Sequence, residues 1–157
     1  MRVQEIMTQE VSCGSPATNA AEAAEIMWTK NCGVLPIVAD GGHVVGIVTD
    51  RDLFIALGTQ NRRPADLQMR EIMREDPIFC APGDDVRQAL KIMAKQRVCR
   101  LPVVDELGGL QGILSVDDVL ARTDGAVKDD AVQALEAISE HHMTTMRDTP
   151  SVARASA

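Results

Sequence analysis

A hydroxyl residue followed three positions later by a carboxylate occurs twice, as Thr49-x-x-Asp52 and as Ser115-x-x-Asp118. Each time it stands where an apolar run gives way to a helical pattern. Two chemistries fit this spacing. One is a capping box, with the hydroxyl and the carboxylate each satisfying a backbone amide of the first turn. The other is a nucleotide cradle. Free amides at a positive helix end suit a phosphate, and a carboxylate one turn in can accept two hydrogen bonds from a ribose diol. Both readings stay open on spacing alone, although duplication at matched positions strengthens the second.

Other chemistry-bearing residues are weaker candidates. Gly41-Gly42-His43-Val44-Val45-Gly46 is glycine-rich, but it misses the G-x-G-x-x-G spacing and precedes a strand pattern, so it reads as a hairpin turn. His43, His141 and His142 do not form a ligand set, because adjacent histidines on a helix point to different faces. Cys13, Cys32, Cys80 and Cys99 contain no C-x-x-C pair and are expected as reduced, buried thiols. Met7, Met27, Met69, Met73 and Met93 read as core or interface filler. Trp28 is expected to cover the core edge or a subunit contact. No nucleophile–base pair stands at useful spacing, and a catalytic domain would need more chain.

The elements that position these residues come in two copies. Glu5-Ile6-Met7 recurs as Glu71-Ile72-Met73, Leu35-Pro36 as Leu101-Pro102, and Gly46-Ile47 as Gly112-Ile113, always 66 residues apart. Such a repeat implies two supersecondary units, neither of which buries its apolar face alone, stacked about a pseudo-two-fold axis. A cleft between the copies is a natural ligand site. Each copy reads β-α-β-β-α, so the fold class is α/β. In the first copy, Val11-Ser12-Cys13 is a short strand, and Thr18 or Asn19 caps a helix to about Lys30. Its apolar stripe is Ala20, Ala23, Ala24, Ile26 and Met27, and Gly33 ends it. Val34–Val38 and Val44–Val48 form a hairpin turned at Asp40-Gly41-Gly42. Thr49 then caps a helix over Asp50–Leu57 that stops at Gly58.

In the second copy, Ile78-Phe79-Cys80 is the short strand and Asp84 caps a helix to about Gln96. Arg100–Val104 and Leu110–Leu114 form the hairpin, turned at Gly108-Gly109. Ser115 caps the last helix, to about Ala121. These readings divide the chain into a first repeat (1–57), a linker (58–68), a second repeat (69–122) and a tail (123–157). The tail predicts a C-terminal helix over about 128–142, with Ala131, Val132, Leu135 and Ile138 on one face, and disorder from Thr144.

Composition narrows the functions. The chain has 157 residues, 45% hydrophobic and only 2% aromatic, so aliphatic side chains and Met must fill a core that the copies share. A net charge of −7 argues against a nucleic-acid surface, which would need a basic stripe. An anionic ligand then needs local cations to overcome the global field. No apolar run reaches membrane-span length, and Met1–Met7 lacks a signal-peptide core, so no membrane association and a cytoplasmic protein are expected.

The segments "CGVLPIVADGGHVVGIVTDRDL" and "VCRLPVVDELGGLQGILSVDDVL" resemble a tandem pair of CBS domains, the regulatory module first named from cystathionine β-synthase. The resemblance covers residues 2 to 122. It implies a compact, disc-forming module whose two clefts bind AMP, ADP, ATP, NAD or S-adenosylmethionine as a regulatory ligand, with no cofactor required. It also implies that Thr49 and Asp52, and likewise Ser115 and Asp118, hold phosphate and ribose. Adenine would lie against Val11, Cys13, Val34 and Leu35, with Ile78, Phe79, Arg100 and Leu101 as the equivalents. Family members often place a basic residue just before the Leu-Pro strand, against a phosphate, and Arg100 fits that role.

The copies depart from each other where charge matters. Position 51 is Arg and its counterpart is Asp117; position 34 is Val and its counterpart is Arg100. Thr49, Asp52 and Arg100, with Arg51, are therefore expected to converge on one phosphate-binding site. The Ser115 and Asp118 site would face Val34 and Asp117 and repel phosphate. The plain alternatives are a solvated cation for Arg100 and a surface helix residue for Arg51. The expected function is a ligand-sensing module, homodimeric through its short helices and acting on a regulated protein partner. The alternative is a structural dimerisation adaptor with empty clefts; a catalytic role is not expected.

Overall fold

The computed structural model describes residues 1–147, with side chains to Glu140. Its elements run α1 (Ala20–Lys30), β1 (Val34–Val38), β2 (Val44–Thr49), α2 (Asp50–Gln60), α3 (Val86–Gln96), β3 (Arg100–Val104), β4 (Leu110–Ser115), α4 (Val116–Arg122) and α5 (Gly125–Arg147). Single 3-10 turns stand at Val3–Glu5, Pro64–Asp66 and Met69–Glu71. Each copy has one antiparallel hairpin, with Val34 opposite Thr49 in the first and Arg100 opposite Ser115 in the second. Both carry the same irregularity before the last strand residue. The hairpin tips meet about the pseudo-two-fold, where the Val44 amide donates to Gly108 O (3.0 Å) and the Leu110 amide to Gly42 O (3.3 Å). Gly42 and Gly108 take φ of 87° and 82° there, a region closed to most side chains.

The cores are assembled by exchange. Val3 and Ile6 are buried with Leu90, Met93, Leu101 and Leu114 of the second copy, whereas Leu67 and Met69 are buried with Leu35, Ile37 and Val48 of the first. The backbone follows: the Val3 amide donates to Asp84 O (2.9 Å), and the Met69 amide to Thr18 O (2.8 Å). Each segment also passes so close to a hairpin that only glycine fits. A Cβ on Gly46 would lie 2.6 Å from Met73 Sδ, and one on Gly112 would lie 2.7 Å from Thr8 O.

Several expectations are corrected. Val11-Ser12-Cys13 and Ile78-Phe79-Cys80 are not strands; single bridges stand there instead, Gly14, just past Cys13, with Ile37 and Cys80 with Val103. The proline two residues beyond each bridge, Pro16 and Pro82, lacks the amide a longer ladder would need. Of the two candidates Asn19 is the cap of α1, as expected, but the cap of α3 is Asp85 and not Asp84, its carboxylate accepting from the Arg87 amide (2.8 Å). Asp84 instead accepts from the Ala81 amide in the preceding turn (2.8 Å). Helix α1 ends at Asn31, not Gly33: Asn31 takes φ 50°, and the Cys32 amide returns to Met27 O (3.0 Å). Helix α2 runs through Gly58 to Gln60, because an exposed glycine costs a helix only about 1 kcal/mol. Asn61 (φ 50°) stops it.

Burial also differs from expectation. Ala24 is exposed. Only Cys80 is a buried thiol: Cys13 is exposed, and Cys32 and Cys99 are half-buried. Burial pushes the Cys80 thiol up to about 12, with Asp84 adding to the effect. Helix α5 starts at Gly125 and packs on α3 and α4 through Ala131, Ala134 and Ile138, leaving Val132 and Leu135 exposed. Thr144–Arg147, expected as disordered, belong to this helix, and residues 148–157 lie outside the described residues.

Candidate functional site

Both hydroxyl–carboxylate pairs form reciprocal capping boxes. Thr49 Oγ1 accepts from the Asp52 amide (3.1 Å), and Asp52 Oδ2 accepts from the Thr49 amide (2.9 Å) and hydroxyl (2.7 Å). Ser115 and Asp118 repeat this at 3.0, 3.0 and 2.6 Å. The expected cradle of free amides is absent from α2. Asp50 N donates to Gly33 O (3.1 Å), Arg51 N to Asp50 Oδ1 (2.7 Å) and Asp52 N to Thr49, so the first turn has no amide left for a phosphate. A phosphate at this end must be held by side chains.

Two clefts flank the capped helices. The Thr49 cleft, about 360 Å³, is lined by Thr49, Asp50 and Arg51 of the first copy and by Arg97, Val98, Cys99 and Arg100 of the second. Arg74, Ile47, Gly33, Val34 and Ile138 of α5 complete it. The Ser115 cleft, about 340 Å³, is lined by Ser115, Asp118, Arg100, Thr8, Ile113, Glu10, Val11, Ser12, and residues 30 to 34. Both volumes fall at the small end of ligand sites, about 300–1,000 Å³.

The charges differ sharply. The Thr49 cleft gathers Arg51, Arg74, Arg97 and Arg100 against Asp50; Asp52 is outside its lining and joins it only through the ion pair with Arg74. The Ser115 cleft has Lys30 and Arg100 against Glu10 and Asp118. Contrary to expectation, Arg100 stands on both walls and Asp117 lines neither cleft; the two pair instead, with Arg100 Nη2 3.4 Å from Asp117 Oδ2. Asp52 Oδ1 accepts from Arg74 Nη2 (3.1 Å). Burial alone would raise the Asp52 carboxyl, but the Thr49 hydroxyl and amide together with Arg74 bring it below the ordinary range. It is therefore ionised at neutral pH and ready to accept hydrogen bonds.

The structure brings Thr49, Arg51, Val34 and Arg100 to one cleft, and Val11, Val34, Arg100, Ser115 and Asp118 to the other; Asp52, expected beside Thr49, lines neither, because the cap and Arg74 hold its carboxylate. Val11 thus faces Ser115, not Thr49. The side chains of Leu35 and Leu101 are buried in the two cores. Cys13, Ile78 and Phe79 are exposed and stand outside the lining of both clefts. Sequence reasoning does not single out Arg74 or Arg97. The signal was available: Arg74 replaces Thr8 and Arg97 replaces Asn31 at the 66-residue offset, the same kind of departure that pointed to Arg51 and Arg100. Among the described residues, no group of three His, Cys, Asp or Glu is arranged to hold a metal ion. Among them, too, no helix is long and apolar enough to cross a membrane.

Comparison with known proteins places this arrangement. The family model described as CBS domain matches twice, over residues 3–59 and 69–124. An uncharacterized protein of Methanopyrus kandleri is 35% identical over 118 residues, 75% of this chain. The chain spans 60% of that relative's length, and 24% and 23% of the lengths of two other curated relatives. Among solved structures, the CBS domain pair of protein MJ0100 in complex with 5'-methylthioadenosine and S-adenosyl-L-methionine is 27% identical. Its TM-score is 0.70, and the match covers 77% of this chain and 94% of that one. The cytosolic domain of the magnesium channel MgtE in complex with ATP is 25% identical, with a TM-score of 0.67 over 78% of this chain and 48% of that one.

Proposed function

On the footing that the chain belongs to the CBS-domain family, we propose that it is a regulatory, non-catalytic module sensing an adenosine nucleotide in the Thr49 cleft. The observation that carries this is the convergence of Arg51, Arg74, Arg97 and Arg100, from both copies, on a cleft beside an ionised Asp52. In a chain of net charge −7, so local a cationic wall marks an anion's place. Asp52 would take the ribose diol, Thr49 and the arginines the phosphates, and Val34, Val98 and Ile47 the adenine face. The adenosine-derived ligands of the MJ0100 and MgtE structures support that class of ligand. AMP, ADP, ATP and NAD all carry the required phosphate. The Ser115 cleft, poorer in cations, suits adenosine or S-adenosylmethionine.

Sensing needs an output, and two features supply candidates. Ile138 puts α5 in the wall of the Thr49 cleft, so a ligand there touches the tail helix. The second is a homodimer. Helix α5 covers the α3 and α4 face, while on α1 and α2 Trp28 is 87% exposed and Phe54 80%. A second copy closing that face would be self-complementary about a two-fold. A cytoplasmic setting, where such nucleotides circulate, and a regulated protein partner go with this reading.

The test is a thermal-shift and calorimetric panel of AMP, ADP, ATP, NAD, adenosine and S-adenosylmethionine. A ligand at a hundred times its dissociation constant adds about 2.7 kcal/mol of stability. No shift with any of them would leave the structural dimerisation adaptor as the reading.

A further inference from the structure

One matched pair of residues faces the two ribose-side carboxylates, and it differs between the copies. Thr8 and Arg74 stand 66 residues apart and are held alike by the backbone. Thr8 and Ile113 each donate a backbone N–H to the other's carbonyl (2.8 and 2.9 Å), and Arg74 and Ile47 do the same (3.1 and 3.2 Å). Each side chain reaches the outer oxygen of the nearby carboxylate. Thr8 Oγ1 donates to Asp118 Oδ1 at 3.3 Å, and Arg74 Nη2 donates to Asp52 Oδ1 at 3.1 Å. The inner oxygen is committed to the helix cap in both copies. Asp52 Oδ1, the oxygen a ribose diol would use, is thus occupied by a guanidinium that lines the Thr49 cleft.

Arg74 is able to move. Its main chain is pinned, but its side chain is 59% exposed, so the guanidinium can swing into solvent, whereas Asp52, 17% exposed, stays fixed by its cap bonds to Thr49. The cation near Asp118 is built differently. Arg122 Nη2 lies 3.5 Å from Asp118 Oδ1, but its Nη1 is bonded to the Ile6 carbonyl (2.7 Å), and it does not line the Ser115 cleft.

We infer that Arg74 is a specificity-determining latch: a ribose diol arriving at Asp52 displaces the guanidinium, and a phosphate of the same ligand takes it up. The inference rests on the proposed nucleotide reading of the Thr49 cleft. A nucleotide exchanges one anionic partner of Arg74 for another, and a phosphate can accept the guanidinium fork bidentately. A nucleoside opens the pair and returns nothing. The Thr49 hydroxyl and amide stay on Asp52 after Arg74 leaves, so the carboxylate remains ionised for the diol. Ribose and phosphate are then recognised as a unit in the Thr49 cleft, whereas the Ser115 cleft, with Thr8 in place of the latch, has no such requirement.

The experiment is calorimetric titration of the wild type, Arg74→Thr and Arg74→Lys with AMP and with adenosine. Threonine is the residue already at the counterpart position, so the fold has a precedent for it. Arg74→Thr is expected to weaken AMP tenfold or more while adenosine holds or tightens by up to about fivefold. Arg74→Lys, which keeps the charge but not the fork, should fall between. An AMP-to-adenosine ratio unchanged in both variants, or equal losses for both ligands, would overturn the latch while leaving the nucleotide reading intact. A wild type that binds no AMP, ADP or ATP would sink that reading, and the latch with it.

Discussion

Replacing Asp52 separates its two roles, because one oxygen belongs to the helix cap and the other pairs with Arg74 of the cleft wall. Asp52→Ala removes the acceptor of the Thr49 amide (2.9 Å) and hydroxyl (2.7 Å), together with the Arg74 pair (3.1 Å). The reverse half of the cap survives, since the amide at position 52 still reaches Thr49 Oγ1 (3.1 Å). Loss of half a capping box should cost about 1–2 kcal/mol. The ion pair, exposed on its Arg74 side, adds about 1 kcal/mol. For a domain of this size the melting temperature should fall by about 2–12 °C. The ligand effect is separate: a charge-assisted bond to a ribose diol is worth about 1.5–3 kcal/mol, tenfold or more in AMP affinity. Asp52→Asn keeps an acceptor for the Thr49 amide, so it should restore most of the stability and only part of the affinity. Thermal melts without ligand and calorimetry with AMP read the two effects independently. The sign of the pH dependence follows from the lowered Asp52 pKa. Its stabilisation is complete above the unfolded value, about 3.9, and is lost as pH falls through the lower folded value. The stability gap between wild type and Asp52→Ala should therefore be constant from about pH 5 upward and shrink in acid. An Asp52→Ala protein that melts lower yet binds AMP unchanged would refute the ribose assignment; an unchanged melting profile would refute the cap.

Arg100→Val should weaken AMP by tenfold or more and adenosine far less, since only the phosphate contact is lost. Ser115→Ala should cost AMP less than Arg100→Val does; the reverse order in titrations would move the strong site to the Ser115 cleft. Leu67→Ala, deleting a fully buried side chain that the 58–68 segment sends into the first core, should cost about 2–5 kcal/mol in urea unfolding. A cost below 1 kcal/mol would show that segment to be a simple tether. Phe54→Asp should convert a dimer to a 17 kDa monomer in sedimentation without lowering the melting temperature of the monomer, since Phe54 is exposed in the single chain. Cys80, its thiol pushed up to about 12 and its side chain buried, should resist alkylation at pH 8 in the folded protein and react only on unfolding.

What could be read from the chain by itself was whatever depends on neighbours a few residues apart. Hydroxyl and carboxylate at a spacing of three make the Thr49 and Ser115 caps, alternating apolar residues around a glycine turn make each hairpin, and the 66-residue repeat makes two of everything about one axis. Comparing the copies position by position also located much of the charge asymmetry, at Arg51 and Arg100. Some local signals were too weak to hold and others were satisfied within the chain. Gly58 is a weak helix former that α2 nonetheless includes, and the first-turn amides of α2 were committed to Gly33, Asp50 and Thr49 before any ligand could use them. Only the tertiary structure decided that Val3 and Ile6 complete the second core while Leu67 and Met69 complete the first. Only it placed Ile138 in the cleft wall and Arg74, 22 positions from Asp52, on that carboxylate. Periodicity says which faces are apolar but not which faces meet. That choice depends on how close two backbones can pass, and here the two passages are set by glycines 46 and 112, which leave no room for a side chain between the crossing segments.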